Sequence, residues 1–271
     1  MAVIILNSIL FVAALLALSF GIDFREKSKD KEAASKYIMF CLAYAVNCIA
    51  YILTILSQNT TVEYVCYSVA WFAWIVFLAD SVLLAAYSVD CSKKAVSVSV
   101  TFILYWGMGL YFIDTLIGKG ELYCSKWAVY YRPTAFFHIF LHSVIYIVYI
   151  AVLIAICVYF IFHCNKKRDF FQLFLFAVTF FPFVIGILLE MLVLIFEGTF
   201  LPFSQFFGLC TVWVLRRLLR YHRSMELSRD DYKEWLSADR TDVVLICDDT
   251  QKVIFVNKRA EITAQMLREN Y

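Results

Sequence analysis

Residues Tyr64–Val89 read YVCYSVAWFAWIVFLADSVLLAAYSV, a run without Lys, Arg or Glu and with a single Asp, Asp80. A helix crossing a bilayer needs roughly 20 predominantly apolar residues, and this run supplies them. Six further runs extend the pattern: Ala2–Ile22, Tyr37–Ser57, Ala95–Ile117, Ala135–His163, Phe170–Phe196 and Phe203–Leu219. The sequence therefore predicts an all-α membrane protein, a bundle of seven transmembrane helices. Pro133 and Pro202 lie just before the fifth and seventh spans, where the first turn of a helix accepts proline.

Composition agrees. The 271 residues are 63% hydrophobic and 17% charged, with a mean hydropathy of +0.76. A soluble domain is about 45–50% apolar, and a chain of this size cannot hide the excess in one core. Three prolines and eight glycines leave no collagenous or low-complexity reading. The net charge of +2, with no basic patch apart from the membrane flanks, excludes nucleic acid as a partner. The first span has no basic residue before it and no small-residue cleavage site, so it reads as a retained helix rather than a secretory signal.

The loops alternate in charge. Arg25, Lys27, Lys29, Lys31 and Lys36 flank the first, Lys93 and Lys94 the third, and Lys166, Lys167 and Arg168 the fifth. The second and sixth carry none, and Arg216, Arg217, Arg220 and Arg223 follow at the end of the last span. Only the fourth, with Lys119, Lys126 and Arg132, departs from the alternation. Positive residues stay on the cytoplasmic side, so the N-terminus is expected outside and the C-terminus inside.

Three segments follow: a membrane bundle over 1–222, a charged linker helix over 223–240, and a short α/β tail over 241–271. Met225, Tyr232 and Leu236 give the linker an apolar edge that suits pairing with a second copy, although a solvated helix explains it equally. In the tail, Asp242–Asn257 places two apolar, β-branched runs around a polar turn at Asp249–Lys252, a hairpin signal. Asn257 then precedes Lys-Arg-Ala-Glu as a helix cap.

This order of strand, turn, strand, Asn and helix resembles the opening of a PAS domain. Seven helices, a charged helix and a PAS-like start together look like the N-terminal seven-transmembrane sensor region of bacterial histidine kinases and diguanylate cyclases. The resemblance implies a multi-pass protein of the bacterial plasma membrane, homodimeric, whose bundle detects a small or lipophilic signal. The linker then passes a helix movement to PAS and output domains. The PAS-like match spans about thirty residues, so a fragment or a prematurely ended reading frame is expected. Two strands and a helix bury little core. No kinase His box, ATP lid or cyclase motif is present, so no enzymatic activity and no cofactor are expected of the chain as given.

Two other seven-helix classes fail on chemistry. A retinal protein needs a Lys in its last helix, and Phe203–Leu219 has none. A eukaryotic-type receptor carries Asp-Arg-Tyr after span three and Asn-Pro-x-x-Tyr in span seven. Here those places read Ser88-Val-Asp-Cys and Val212-Trp-Val-Leu.

A charge at a helix centre costs about 2.5 kcal/mol or more, so each intramembrane ionisable group needs a reason. Asp80 shares a face with Val76, Phe77, Leu84 and Tyr87 and is expected to face the bundle. It reads either as a ligand or proton site or as a carboxyl tying two helices together. Pro182, Gly186 and Glu190 stack by fours along span six. They read as a kink, a close helix approach and a carboxylate that binds a cation or simply snorkels. His138 and His142 share one helical face, with the nearby Glu121, Cys124 and Asp114 as candidate co-ligands only. No complete metal set is signalled, and packing is the alternative. Arg132 reads as an anchor for a ligand carboxylate or as an interface residue. Trp71, Trp74 and Trp106 suit a lipophilic pocket or aromatic belts, and Asn47 an interhelical hydrogen bond. Of nine cysteines, only Cys66 and Cys124 fall on the oxidising side, where they are candidates for one disulfide.

The rival functions are a small-molecule transporter, an intramembrane enzyme and a bare membrane scaffold. An odd helix count without a visible inverted repeat speaks against transport. Asp80 and Glu190 are not level, which speaks against catalysis.

Overall fold

The structure is a computed structural model. It describes residues 2–28, 31–88, 93–117, 120–124, 129–133, 136–163, 167–196, 203–225, 245–247 and 253–256. Seven α-helices lie among them: α1 Ala2–Lys27, α2 Lys31–Leu56, α3 Thr60–Tyr87, α4 Lys93–Ile117, α5 Phe136–His163, α6 Lys167–Phe196 and α7 Phe203–Met225. Five helices are long and apolar enough among the described residues to cross a membrane, α1 to α5, and α6 holds a shorter apolar stretch, Phe176–Leu189. The chain is a membrane protein whose main body is built from helices, with one short hairpin between α4 and α5. It divides into two compact units, Met1–Leu219 and Arg220–Tyr271.

The helices outrun the apolar spans, because a polar flank continues a helix at no cost in unsatisfied backbone once the first turns exist. Thus α1 runs through Arg25 to Lys27, and α2 opens at Lys31. Asn59 starts α3: its side chain accepts from the backbone N–H groups of Thr61 and Val62, which are two of the four orphan donors of a helix start.

The end of the bundle at which α1 begins is called the upper end here. Small residues set the spacing of α1 and α2. Ala13, Ala14 and Ala17 are buried, as are Ala45, Cys41 and Cys48, and a Cβ on Gly21 would stand 3.0 Å from Cys41 Cβ. Such small contacts let helices pack closely where no hydrophobic drive exists between them. At mid-height an aromatic core joins four helices: Phe40 stacks on Phe77 at 4.4 Å, and Phe183 packs edge-on to Phe77 and Tyr149.

The last helix is pinned from several sides. Tyr37 and Tyr44 donate to the carbonyls of Val212 and Gln205 at 2.7 and 2.6 Å, and Thr211 donates to Thr179 O of α6. At the lower end Asp23 of α1 forms ion pairs with Lys27 and with Arg216 of α7. Arg216 also lies over the Phe20 ring.

The fourth connection is not a plain basic loop. It folds as an antiparallel hairpin, β1 Gly120–Cys124 with β2 Val129–Pro133, in the register Gly120–Pro133 to Cys124–Val129. Pro133 therefore ends a strand, and α5 starts three residues later, which corrects its placement in a first helical turn. Proline fits a strand terminus because its missing N–H leaves no ladder bond unmade there. Pro202 lies outside the described residues. In the second unit, β3 Leu245–Cys247 pairs antiparallel with β4 Val253–Val256, with a bulge between Ile246 and Cys247.

Candidate functional site

The most concentrated polar chemistry in the bundle lies at the upper end, between α3, α4 and α5 and next to the hairpin. Asp114 is fully buried near the end of α4, and His142 is buried one helix away in α5. Nε2 of His142 donates to Oδ2 of Asp114 at 2.7 Å. A carboxylate in this position is stabilised only by such a partner, since desolvation of an unpaired charge exceeds what packing recovers.

Aromatic rings surround the pair. Trp71 of α3 meets the His142 ring edge-on at 5.8 Å and stacks on Tyr111 at 5.7 Å. Its indole donates to Gly107 O at 3.1 Å, and Trp106 donates to Leu141 O at 3.2 Å. The Tyr111 and Ser68 hydroxyls are 2.9 Å apart. Trp71 and Trp106 are thus turned inward by their N–H groups, as amphipathic rings are when a carbonyl is available.

The hairpin closes on this cluster. Val129 is buried against Tyr67 and Tyr111, and its backbone N–H donates to the Tyr51 hydroxyl of α2 at 3.1 Å. Two helix-borne tyrosines and one hydrogen bond therefore fasten the strand β2 above the pair. Any change at Asp114 or His142 bears on α4, α5 and, through Trp71 and Tyr111, on the hairpin.

The residues singled out from sequence separate in space. His142 enters the cluster, whereas the side chains of His138, Arg132, Glu190 and Cys124 lie outside the described residues. The backbone sets Arg132 opposite Glu121 in the hairpin register. Among the described residues no group of three His, Cys, Asp or Glu side chains can hold a metal. Trp74 is a packing residue: it is buried, stacked on Phe77 at 5.5 Å and tilted against Phe183 at 5.6 Å.

Asp80 does not turn fully inward as expected. Phe77 and Leu84 are completely buried, but Asp80, Val76 and Tyr87 are only half-buried. The 100° step of the helix puts Phe77 and Leu84 about 20° apart on the core side, with Asp80 about 40–60° away toward the edge. Gly186 marks the close approach of α7 to α6: a Cβ there would stand 2.9 Å from the Phe207 ring and 3.1 Å from Ser204 Cα. Pro182, half-buried, sits inside α6 one turn before it.

Cys66 carries a free thiol, and the side chain of Cys124, its candidate partner, lies outside the described residues. The next residue, Tyr67, is the α3 side chain that packs on the hairpin, and a 100° step turns Cys66 away from it.

The Asp114–His142 pair was not legible as a pair. Asp114 figured only as one candidate metal co-ligand, and 28 positions separate it from His142. A signal existed in the acid near the end of one apolar span and the histidine near the start of the next. A tight turn would bring the two level. The hairpin also left a trace, aromatic and β-branched residues at Tyr123 and Val129–Tyr131 on either side of Ser125 and Lys126.

Together these features define a polytopic membrane protein with a buried acid–histidine pair near one end. A scan against family models and a search of curated proteins both find no match.

Proposed function

We propose that the chain is a membrane-embedded sensory input module, of the kind that precedes bacterial histidine kinase or diguanylate cyclase output domains. In this reading seven helices span the membrane, with the upper end and the β1–β2 hairpin outside and the C-terminal unit inside. The small β3–β4 hairpin is the start of a PAS-like domain, and the chain itself performs no catalysis.

The observation that carries the reading is the buried Asp114–His142 pair fastened beneath the hairpin. Ionisable groups at membrane depth mark functional sites by default. Here the pair is tied to the one described element of the bundle that is not a helix. A small molecule that engages His142 or displaces the hairpin competes for that hydrogen bond. Contacts then lead downward: Trp71 on α3, Phe77 against Phe40 on α2, and Tyr37 and Tyr44 onto the carbonyls of α7. α7 is the helix that leaves the bundle toward the second unit.

The test uses the chain in lipid nanodiscs, with spin labels at Arg223 and at the upper end of α2. Soluble and lipophilic small molecules are screened by thermal shift, and hits are examined by inter-label distance. A sensor yields a compound that stabilises the protein, shifts the α7 distance, and loses both effects in His142→Gln. Saturable uptake of that compound into proteoliposomes makes the chain a transporter instead. A reporter fused after Arg223 that is active outside the membrane overturns the orientation.

A further inference from the structure

Three sides of α3 are filled by this chain. α2 meets it through Asn47, whose Nδ2 donates to Ala70 O at 2.8 Å, and through the Phe40–Phe77 stack. α4 meets it at Trp71 and Ser68. α5 reaches it through Tyr149, whose hydroxyl lies 2.9 Å from the Ser81 hydroxyl. The fourth side is open: Val65, Val69 and Phe72 are 59%, 44% and 36% exposed, and Val76, Asp80, Leu83 and Tyr87 continue the stripe half-buried.

Asp80 is the one carboxyl of that stripe, and its side chain has no hydrogen bond or ion pair among the described residues. It lies about 10 Å above the lower end of α3, at 1.5 Å per residue, well inside the hydrocarbon depth that a helix of this length crosses. Lys36, on the same flank of α2, is held by Glu32 at 2.6 Å and lies over the Tyr87 ring at 5.6 Å. Its backbone stands within about one turn of the level of Asp80, since Phe40 packs on Phe77 and a turn rises 5.4 Å, but its ammonium is engaged lower down, by Glu32 and at the Tyr87 ring. A carboxyl facing hydrocarbon without a partner is retained when something outside the chain answers it.

We propose that this face of α3 docks a transmembrane helix of another protein, one that carries a single basic residue level with Asp80. Charge complementarity selects the base. The length of the stripe selects a helix, since Val65 to Tyr87 covers about 33 Å at helical rise, far more than a small amine occupies. A second copy of this chain fits poorly. Symmetric packing on this stripe sets two carboxyls against each other, and the described base nearest that level, Lys36, is already paired with Glu32.

The proposal is tested on the full chain in phosphatidylcholine nanodiscs. The probe is a fluorescent leucine–alanine helix of about 23 residues with one lysine about 10 Å from its end, compared with the same helix carrying leucine there. Energy transfer to a label on the chain reads association. The lysine helix is expected to associate about tenfold more tightly than the leucine helix, the scale of a polar contact between membrane helices. Asp80→Asn should abolish that difference, and Asp80→Glu should preserve it. Gly109→Ala serves as the folded control. Equal association of both helices, or an Asp80→Asn variant that keeps the preference, overturns the proposal. So does displacement of the lysine helix by dodecylamine at equal membrane concentration, which marks a small-cation site. Disulfide cross-linking of Asp80→Cys between two copies overturns it as well.

Discussion

Asp114 and Asp80 stand on neighbouring helices in opposite settings. Asp114 is enclosed at the upper end, takes a hydrogen bond from His142 and sits beneath a hairpin fastened by Tyr67, Tyr111 and Tyr51. Asp80 lies lower and half-buried, on the flank of α3 that the described helices leave most open. The enclosed side of the bundle is held by specific polar pairs, and the open side is shaped only by side-chain size and lipid. Substitutions on the first should be costly and position-specific. Those on the second should be nearly free within the isolated chain, whatever they do to partners.

The largest effect is expected at the buried pair. Asp114→Leu should cost about 3–5 kcal/mol, because it strands the other half of the pair, read as a loss in unfolding free energy in nanodiscs. Adding His142→Leu should recover most of it. A cost below about 1 kcal/mol for the single change, the scale of an ordinary exposed pair, would erase the contrast between the two regions.

Glycines extend the comparison to packing. A Cβ on Gly208 would meet the Tyr44 ring at 2.7 Å, so Gly208→Ala should cost about 1–3 kcal/mol by overpacking. Nothing lies within 4 Å of a Cβ on Gly109, so Gly109→Ala should instead raise the unfolding free energy by up to about 1 kcal/mol through helix propensity. Thermal melts of both variants with matched lipid check the pair. Equal shifts would mean that α7 does not approach α2 as closely as Gly208 implies.

Tyr37→Phe removes the hydroxyl that reaches Val212 O and should cost about 0.5–1.5 kcal/mol, the net worth of one hydrogen bond. Asp80→Leu should change the stability of the isolated chain by no more than about 0.5 kcal/mol or raise it, as surface changes do. A large loss there would place Asp80 inside the polar framework.

The helices were legible because hydrophobic run length survives without tertiary knowledge. Each of the seven runs, from Ala2–Ile22 to Phe203–Leu219, overlaps one α-helix over nearly its whole length. Asn47 was readable as an interhelical donor because a buried amide has few alternatives. The cluster at the upper end was harder. Asp114, His142, Trp71 and Val129 come from three helices and a strand, and nothing local in any of them names the others. Asp80 misled for a related reason: wheel position gives the neighbours on its own helix, not which side another helix will occupy.

The sequence alone determined that this chain dissolves in a membrane, because its apolar runs exceed what a water-soluble surface tolerates. It also determined where those runs stop, since charged flanks resist entering hydrocarbon. Tertiary structure decided which carboxyl found a histidine and which was left at the open edge. That choice rests on helix rotation and neighbour placement, set by small-residue contacts such as Gly21 on Cys41 and Gly186 on Ser204. Their geometry exists only once the helices have come together.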